Sequence, residues 1–254
     1  MTLRRFDDQV VLVTGSAQSI GRALAERFAE EGAALVLADL DGDAVAVACE
    51  ELEKAHGIKA VASVGDLSDE EVATAAIECA LANFGRLDVL VNNAGGGILL
   101  PTLEHTPETI ATTMNRNLWS AIHCTLHAIP HMVEAKYGRV VFIGADSLRT
   151  GLDFHAIYNA AKGGVLGMAG ALAREFAMYG VTFNTVSPTG VRSPEYERQI
   201  ALHPEAAERF LASIPMHRPA EMSEVAAAVA FIASHEAGFI TGQVLSINGG
   251  ATLG

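Results

Sequence analysis

Apolar residues along this chain fall into two patterns. Short, mainly apolar runs occupy positions 10–13, 34–38, 60–64, 87–91, 140–143, 182–186 and 244–247. They are rich in valine, leucine and isoleucine and do not alternate with polar residues, which predicts strands buried on both faces. Between them, apolar positions recur every three or four residues. That spacing predicts helices over 19–31, 43–56, 69–84, 107–135, 155–179 and 221–234. Asp69 and Glu70 fall where the positive end of the third helix dipole would favour them. Regular strand–helix alternation predicts right-handed crossovers and a parallel, doubly wound α/β sheet with helices on both faces. Ligands of such sheets sit beyond the carboxyl ends of the strands, so chemistry is expected just after each strand.

Composition narrows the picture. The 254 residues include no repeat and no linker-like tract, so a single domain over 1–254 is expected. Net charge is −13, from 17 basic and 30 acidic residues. Phosphate backbones call for a basic stripe, so nucleic acid is not an expected partner. The longest apolar stretches are far shorter than the roughly 20 residues that cross a bilayer. Nor does the start MTLRRFDDQVVLVTG resemble a secretion signal, since its apolar run opens a motif. A cytoplasmic protein with no membrane partner is expected. Cys49, Cys79 and Cys124 are scattered without metal-ligand spacing. They read as small buried hydrophobes in a reducing compartment, and no metal is expected.

The first strand runs straight into Gly15-Ser-Ala-Gln-Ser-Ile-Gly21 and then a helix. Glycine permits the tight turn and lets the backbone approach a pyrophosphate, which the helix amides then face. Strand before and helix after is the context that gives a glycine loop its meaning. Asp39 ends the second strand, where an acidic side chain bonds the adenosine ribose hydroxyls and repels a 2′-phosphate. Ser16 and Leu40, the nearby places for a compensating cation, are not basic. NAD is therefore expected over NADP. Asp66, after the third strand, suits the adenine amino group or simply its own turn before Ser68 and Asp69. Asn92-Asn93-Ala94-Gly95 follows the fourth strand with small residues against which a ribose can lie.

Tyr158 and Lys162 stand four apart on a predicted helix and share one face. A tyrosine titrates near 10, and a neighbouring ammonium would lower that value toward neutrality. Tyr158 would then exchange a proton with an alcohol or carbonyl as hydride moves. Gly163, Gly167 and Gly170 line the same helix at a cost of about 1 kcal/mol each relative to alanine. Two readings fit that bare face: a partner subunit's helix, or close packing on the chain's own sheet.

Taken together, TGSAQSIGRA, Asp39, Asp66, NNAG, Asn117, Tyr158-Asn-Ala-Ala-Lys162, FNTVSPTGV and FITGQVLSINGG resemble the short-chain dehydrogenase/reductase family over essentially the whole chain. The resemblance implies a Rossmann-type fold with seven parallel strands, a dimer or tetramer (a homotetramer is expected), and oxidoreductase activity on CH–OH groups. It also implies roles. Gly15, Ile20 and Gly21 hold the pyrophosphate, Asp39 the ribose, and Asp66 and Leu67 border the adenine. Asn93, Ala94 and Gly95 line the path to the nicotinamide, whose ribose Lys162 bonds. Asn117 anchors a proton-relay water. Pro188, Val191 and Ser193 hold the carboxamide, and a substrate lid spans about 191–218.

Three positions depart from the family pattern. Ser19 replaces the middle glycine of the loop and is expected to cap the helix and bond a phosphate. Thr189 replaces the glycine after Pro188. Ala145 stands where the family has its catalytic serine, thirteen residues before the tyrosine. Losing one such donor costs about 10²–10³ in rate. Ser147 reaching in from a reshaped loop is one answer. A substrate whose own hydroxyl or carboxylate meets Asp146 or His155 is a second. A protein that binds NAD without turning over is a third. The expected activity is NAD-dependent oxidation of a secondary alcohol. The stretch from Gly144 to Leu148 loosely resembles relatives acting on alicyclic alcohols and dihydrodiols, which points to a cyclic alcohol or diol. A 3-oxoacyl thioester reductase is the alternative of the same class, and an impaired NAD-binding structural or regulatory protein is that of another.

Overall fold

The computed structural model describes residues 3–253. Its strands are β1 (Val10–Thr14), β2 (Ala34–Asp39), β3 (Ala60–Val64), β4 (Val89–Asn92), β5 (Gly138–Ile143), β6 (Val181–Pro188), β7 (Val191–Arg192), β8 (Ala220–Glu221) and β9 (Val244–Ile247). Its α-helices are α1 (Ser19–Glu30), α2 (Gly42–His56), α3 (Glu70–Phe84), α4 (Pro107–Met114), α5 (Ser120–Ala135), α6 (Ser147–Thr150), α7 (Ala156–Phe176), α8 (Pro194–Leu202), α9 (Pro204–Ala212) and α10 (Met222–Ala233). Seven strands form one sheet in the order β3-β2-β1-β4-β5-β6-β9, and every pairing is parallel. The short β7 and β8 pair separately.

The continuous apolar runs are explained by burial from two sides. Val11 and Val13 face α1, α2 and α10 through Leu24, Phe28, Leu52 and Val229. Val10 and Leu12 face α3, α5 and α7 through Ile77, Cys124, Met132 and Val165. In the central strands each residue thus meets a helix whichever way it points, whereas the edge strand β3 exposes Ala62 and Val64. Asp41 and Asp69 cap α2 and α3 by accepting the amides of Ala44 and Glu71. Cys49 and Cys124 are buried and unpaired, and burial pushes their thiols up to about 11 and about 12. Among the described residues no helix is long and apolar enough to cross a membrane.

The helix expected over 107–135 is two helices joined by a widened π turn, Asn115–Trp119. The cause is Asn117. Its side-chain amide donates to the carbonyl of Thr113 at 2.9 Å and to that of Gly96 at 3.0 Å. A side chain taking an i−4 carbonyl displaces the backbone ladder and opens the turn. The order of strands reverses between β1 and β4, so their carboxyl ends diverge into a crevice. The loops at 15–18 and 93–97 form its walls.

Candidate active site

The crevice is built on a latch between two loops. Thr14, the last residue of β1, accepts the amides of Asn93 and Ala94 on its hydroxyl at 3.0 and 2.9 Å. The Asn93 side chain returns by donating to the carbonyls of Thr14 and Gly15, each at 2.9 Å. Gly21 must be glycine because a Cβ there would stand 1.8 Å from the Gly15 carbonyl oxygen. No side chain caps the start of α1, so its first amides are free to face an anion. The Asp39 carboxylate lies across the same opening. It accepts the amide of Ala17 at 2.8 Å and that of Asp41 at 3.2 Å. It therefore caps a turn and also lines the cleft. Asp66 also does both, accepting the Ser68 amide at 2.9 Å. Leu40, Leu67, Ala94 and Gly95 complete that wall with Ser19 and Ile20. A cradle closed to any Cβ, free helix amides and an acidic far end fit a dinucleotide without a 2′-phosphate.

Ser19 is not the helix cap expected of it. Its φ is +54°, the left-handed region that favours glycine, so this substitution carries strain. Gln18 occupies the cap position instead, with no side-chain bond. Among the residues of the cleft wall that were not anticipated are Asp41, Arg116 and Ser120. Asp41 adds a second carboxylate beside Asp39. Arg116 is turned outward by the widened turn, which leaves no signal in helical spacing.

Tyr158 and Lys162 line the other end of the same cleft, as their spacing implied. The Lys162 ammonium is buried and donates to the Ile143 carbonyl at 2.8 Å. It stands 5.9 Å from the Tyr158 ring centroid. Gly97 seats that ring, since a Cβ there would lie 2.8 Å from Cδ2. Gly95 passes between Lys162 and Asn117, where a Cβ would be 3.3 Å from Nζ and 2.6 Å from Oδ1. The buried Asn117 accepts the Gly96 amide at 3.1 Å, so the π turn fixes this wall. Burial pushes the Tyr158 hydroxyl up to about 12 and the Lys162 ammonium down to about 8. The expected lowering of the tyrosine by its lysine is not what this chain alone produces, because desolvation shifts both groups toward their neutral forms.

The residues offered in place of the missing serine are engaged elsewhere. Ser147 is buried, donates to Asn159 Oδ1 at 2.6 Å, and receives that residue's amide on its carbonyl at 3.0 Å. Asp146 is buried and accepts hydrogen bonds from Asn248, Thr252 and Ser246 at 2.9, 2.9 and 3.3 Å. Both are corrections: these side chains pin the loop after β5 to α7 and to the C-terminal segment. Ala145 is buried and brings no hydrogen-bonding side chain. His155 is different, since it is partly exposed and its ring meets that of Tyr158 edge-on, 5.9 Å apart.

Pro188, Val191 and Ser193 mark the root of the expected lid. Pro188 ends β6, Val191 pairs with Ala220, and the Ser193 hydroxyl accepts the Tyr196 amide at 3.1 Å to start α8. The segment that follows forms α8 and α9, and Phe210 and Tyr196 lie against Gly190. On α7, Gly167 and Gly170 are exposed and an added Cβ would meet nothing. Packing on the chain's own sheet is therefore not what those glycines serve.

A family model described as enoyl-(acyl carrier protein) reductase matches residues 15–252. The chain is 46% identical over 247 residues to the 2,3-dihydroxy-2,3-dihydro-p-cumate dehydrogenase of Pseudomonas putida, covering 97% of this chain and 95% of that one. It is 34% identical over 259 residues to the 1,6-dihydroxycyclohexa-2,4-diene-1-carboxylate dehydrogenase of Acinetobacter baylyi, covering 97% of each. Among solved structures, NAD+-bound xylitol dehydrogenase superposes with a TM-score of 0.92 at 29% identity, covering 97% of this chain and all (100%) of that one.

Proposed function

This chain belongs to the short-chain dehydrogenase/reductase family, and we propose that it oxidises one carbinol of a ring-borne vicinal diol with NAD as its cofactor. It is an enzyme acting on CH–OH groups. The observation that carries the finer reading is a single cleft with Asp39 and Asp41 at one end and Tyr158 with Lys162 at the other. The carboxylates would repel a 2′-phosphate and bond free ribose hydroxyls, which supports NAD. Two of the proteins named above carry the names of ring-diol dehydrogenases, which supports the substrate class.

We assign the roles as follows. Gly15, Ser19, Ile20 and Gly21 hold the pyrophosphate at the start of α1. Asp39 and Leu40 hold the adenosine ribose, and Asp66 and Leu67 border the adenine. Asn93, Ala94 and Gly95 line the path to the reactive ring, with Pro188, Val191 and Ser193 at the carboxamide. When bound, NAD supplies the hydride acceptor at its nicotinamide ring and a positive charge beside Tyr158. The carbinol C–H would break with its electron pair leaving as hydride, the hydroxyl proton would pass to the oxygen of Tyr158 in its phenolate form, and the C=O bond would form. Lys162 holds a positive charge near Tyr158, so a phenolate formed there is less costly. Asn117 braces the wall carrying Gly95 and Gly96.

Ala145 fits this substrate class better than a simple ketone. A diene diol oxidised at one carbon can enolise to an aromatic ring, so the product side lies far downhill. Less polarisation of the reacting oxygen is then required. We also propose that copies of the chain associate through the open glycine face of α7, as a dimer or tetramer. The unpaired cysteines fit a cytoplasmic setting.

The test is growth of NADH absorbance with a cyclohexadiene cis-diol. NAD+ is expected to support turnover and NADP+ to support at least tenfold less. Tyr158→Phe is expected to remove it by about 10³-fold or more while NADH still binds. Preference for NADPH with a 3-oxoacyl thioester would overturn the reading.

A further inference from the structure

Three polar residues lie along one face of α7 and its first turn. His155, Tyr158 and Lys162 occupy positions i, i+3 and i+7, so they stack in a line. Lys162 is at the inner end, against Ile143 and Gly95. Tyr158 is in the middle, and the His155 ring stands edge-on to it at an interplanar angle of 77°. Beyond Tyr158, the next polar group on this face is therefore His155.

The chemistry of that ring is fixed by one contact. Nδ1 lies 2.7 Å from the carbonyl oxygen of Asp153. A carbonyl oxygen only accepts, so Nδ1 carries the hydrogen. In the neutral ring Nε2 then holds a lone pair and no proton. The backbone is also strained here. Phe154, just before it, has φ +64° and is 54% exposed, a conformation that is strained for a residue with a side chain. Strain of this kind persists where a neighbouring side chain must be aimed.

We propose that Nε2 of His155 accepts the hydrogen bond of the diol's second, unreacting hydroxyl, making His155 the residue that selects vicinal diols over simple alcohols. The inference rests on the diol reading above. It assigns the extra oxygen of the substrate to an acceptor and the reacting oxygen to Tyr158. It also gives Ala145 a counterpart: the ring is held by two hydroxyls, and a further donor at position 145 is not needed for orientation.

The experiment compares His155→Leu and His155→Gln with the wild type on two probes, a cyclohexadiene cis-diol and cyclohexenol. NADH fluorescence titration reads the fold of each variant independently of turnover. In His155→Leu, kcat/KM for the diol is expected to fall about tenfold or more, while that for the mono-alcohol stays within about twofold. His155→Gln keeps an acceptor and is expected to recover most of the diol rate. Equal losses on both probes, or an unchanged diol rate in His155→Leu, would overturn the role of His155 while leaving the diol reading intact. A wild type that oxidises neither probe with NAD+ would overturn both.

Discussion

Lys162→Met removes the ammonium at the centre of the site and keeps much of its volume. In the folded chain that ammonium is buried, has no carboxylate partner, and is held near 8 rather than 10.5 by desolvation alone. A displacement of that size corresponds to about 3 kcal/mol of folding free energy lost at neutral pH. Losing the bond to the Ile143 carbonyl returns about 1 kcal/mol. The variant is therefore expected to be more stable than the wild type by about 2 kcal/mol at pH 7, and inactive. The sign depends on pH. The folded ammonium titrates below the unfolded one, so the wild type gains stability as pH rises from about 8 to 10.5. Over that window the advantage of Lys162→Met should disappear. Tyr158 works the opposite way, since a hydroxyl raised from 10 to about 12 makes folding less favourable as pH climbs through that range. At pH 10, the bottom of that range, its effect is small in both proteins. Urea unfolding without added dinucleotide, at pH 7 and pH 10, reads the effect. A variant less stable at pH 7, or an advantage equal at both pH values, would refute the assignment of Lys162 as a buried, uncompensated charge.

Two further outcomes follow from the same structure. Ser19→Gly relieves a left-handed serine but loosens the unfolded chain, for a net gain of about 0.5 kcal/mol in urea unfolding; a loss of stability would mean that the loop does not hold that conformation. Ala145→Ser restores a donor and is expected to raise kcat/KM for cyclohexenol about tenfold or more, with a much smaller gain for the diene diol; equal gains on both would remove the link between Ala145 and the substrate class.

The sheet was legible because its signal is local: each strand carries its own apolar run, and each helix its own spacing. The opening beyond β1 was legible for a related reason, since Gly15, Gly21 and Asp39 mark it through backbone shape and charge at fixed distances along the chain. The turn at Asn115–Trp119 was not. Its helical spacing is unbroken, and it opens only because Asn117 meets Gly96 from another loop. Asp146 and Ser147 were misread for the same reason. Beside Ala145 in sequence they look available, but Asp146 is taken by Ser246, Asn248 and Thr252, about a hundred positions away. For Tyr158 and Lys162, spacing gave the pair but not the sign of its pKa changes. Burial sets that sign, and burial is a property of the folded chain.

The reactive end of the cleft is expensive to fold, and its costs have a common direction. A lone ammonium is buried at Lys162, a phenol is held away from water at Tyr158, and Phe154 is strained beside His155. None of these stabilises the chain by itself. Each becomes favourable only when something anionic forms at Tyr158 or a hydroxyl meets His155. That is the arrangement expected of a site matched to a proton leaving an alcohol rather than to the resting chain. A serine at 145 would add one more donor to the reacting oxygen. On the ring-diol reading proposed above, two hydroxyls hold the ring and an aromatic product draws the reaction forward, so the serine donor is the one contribution this site can lack while keeping its chemistry.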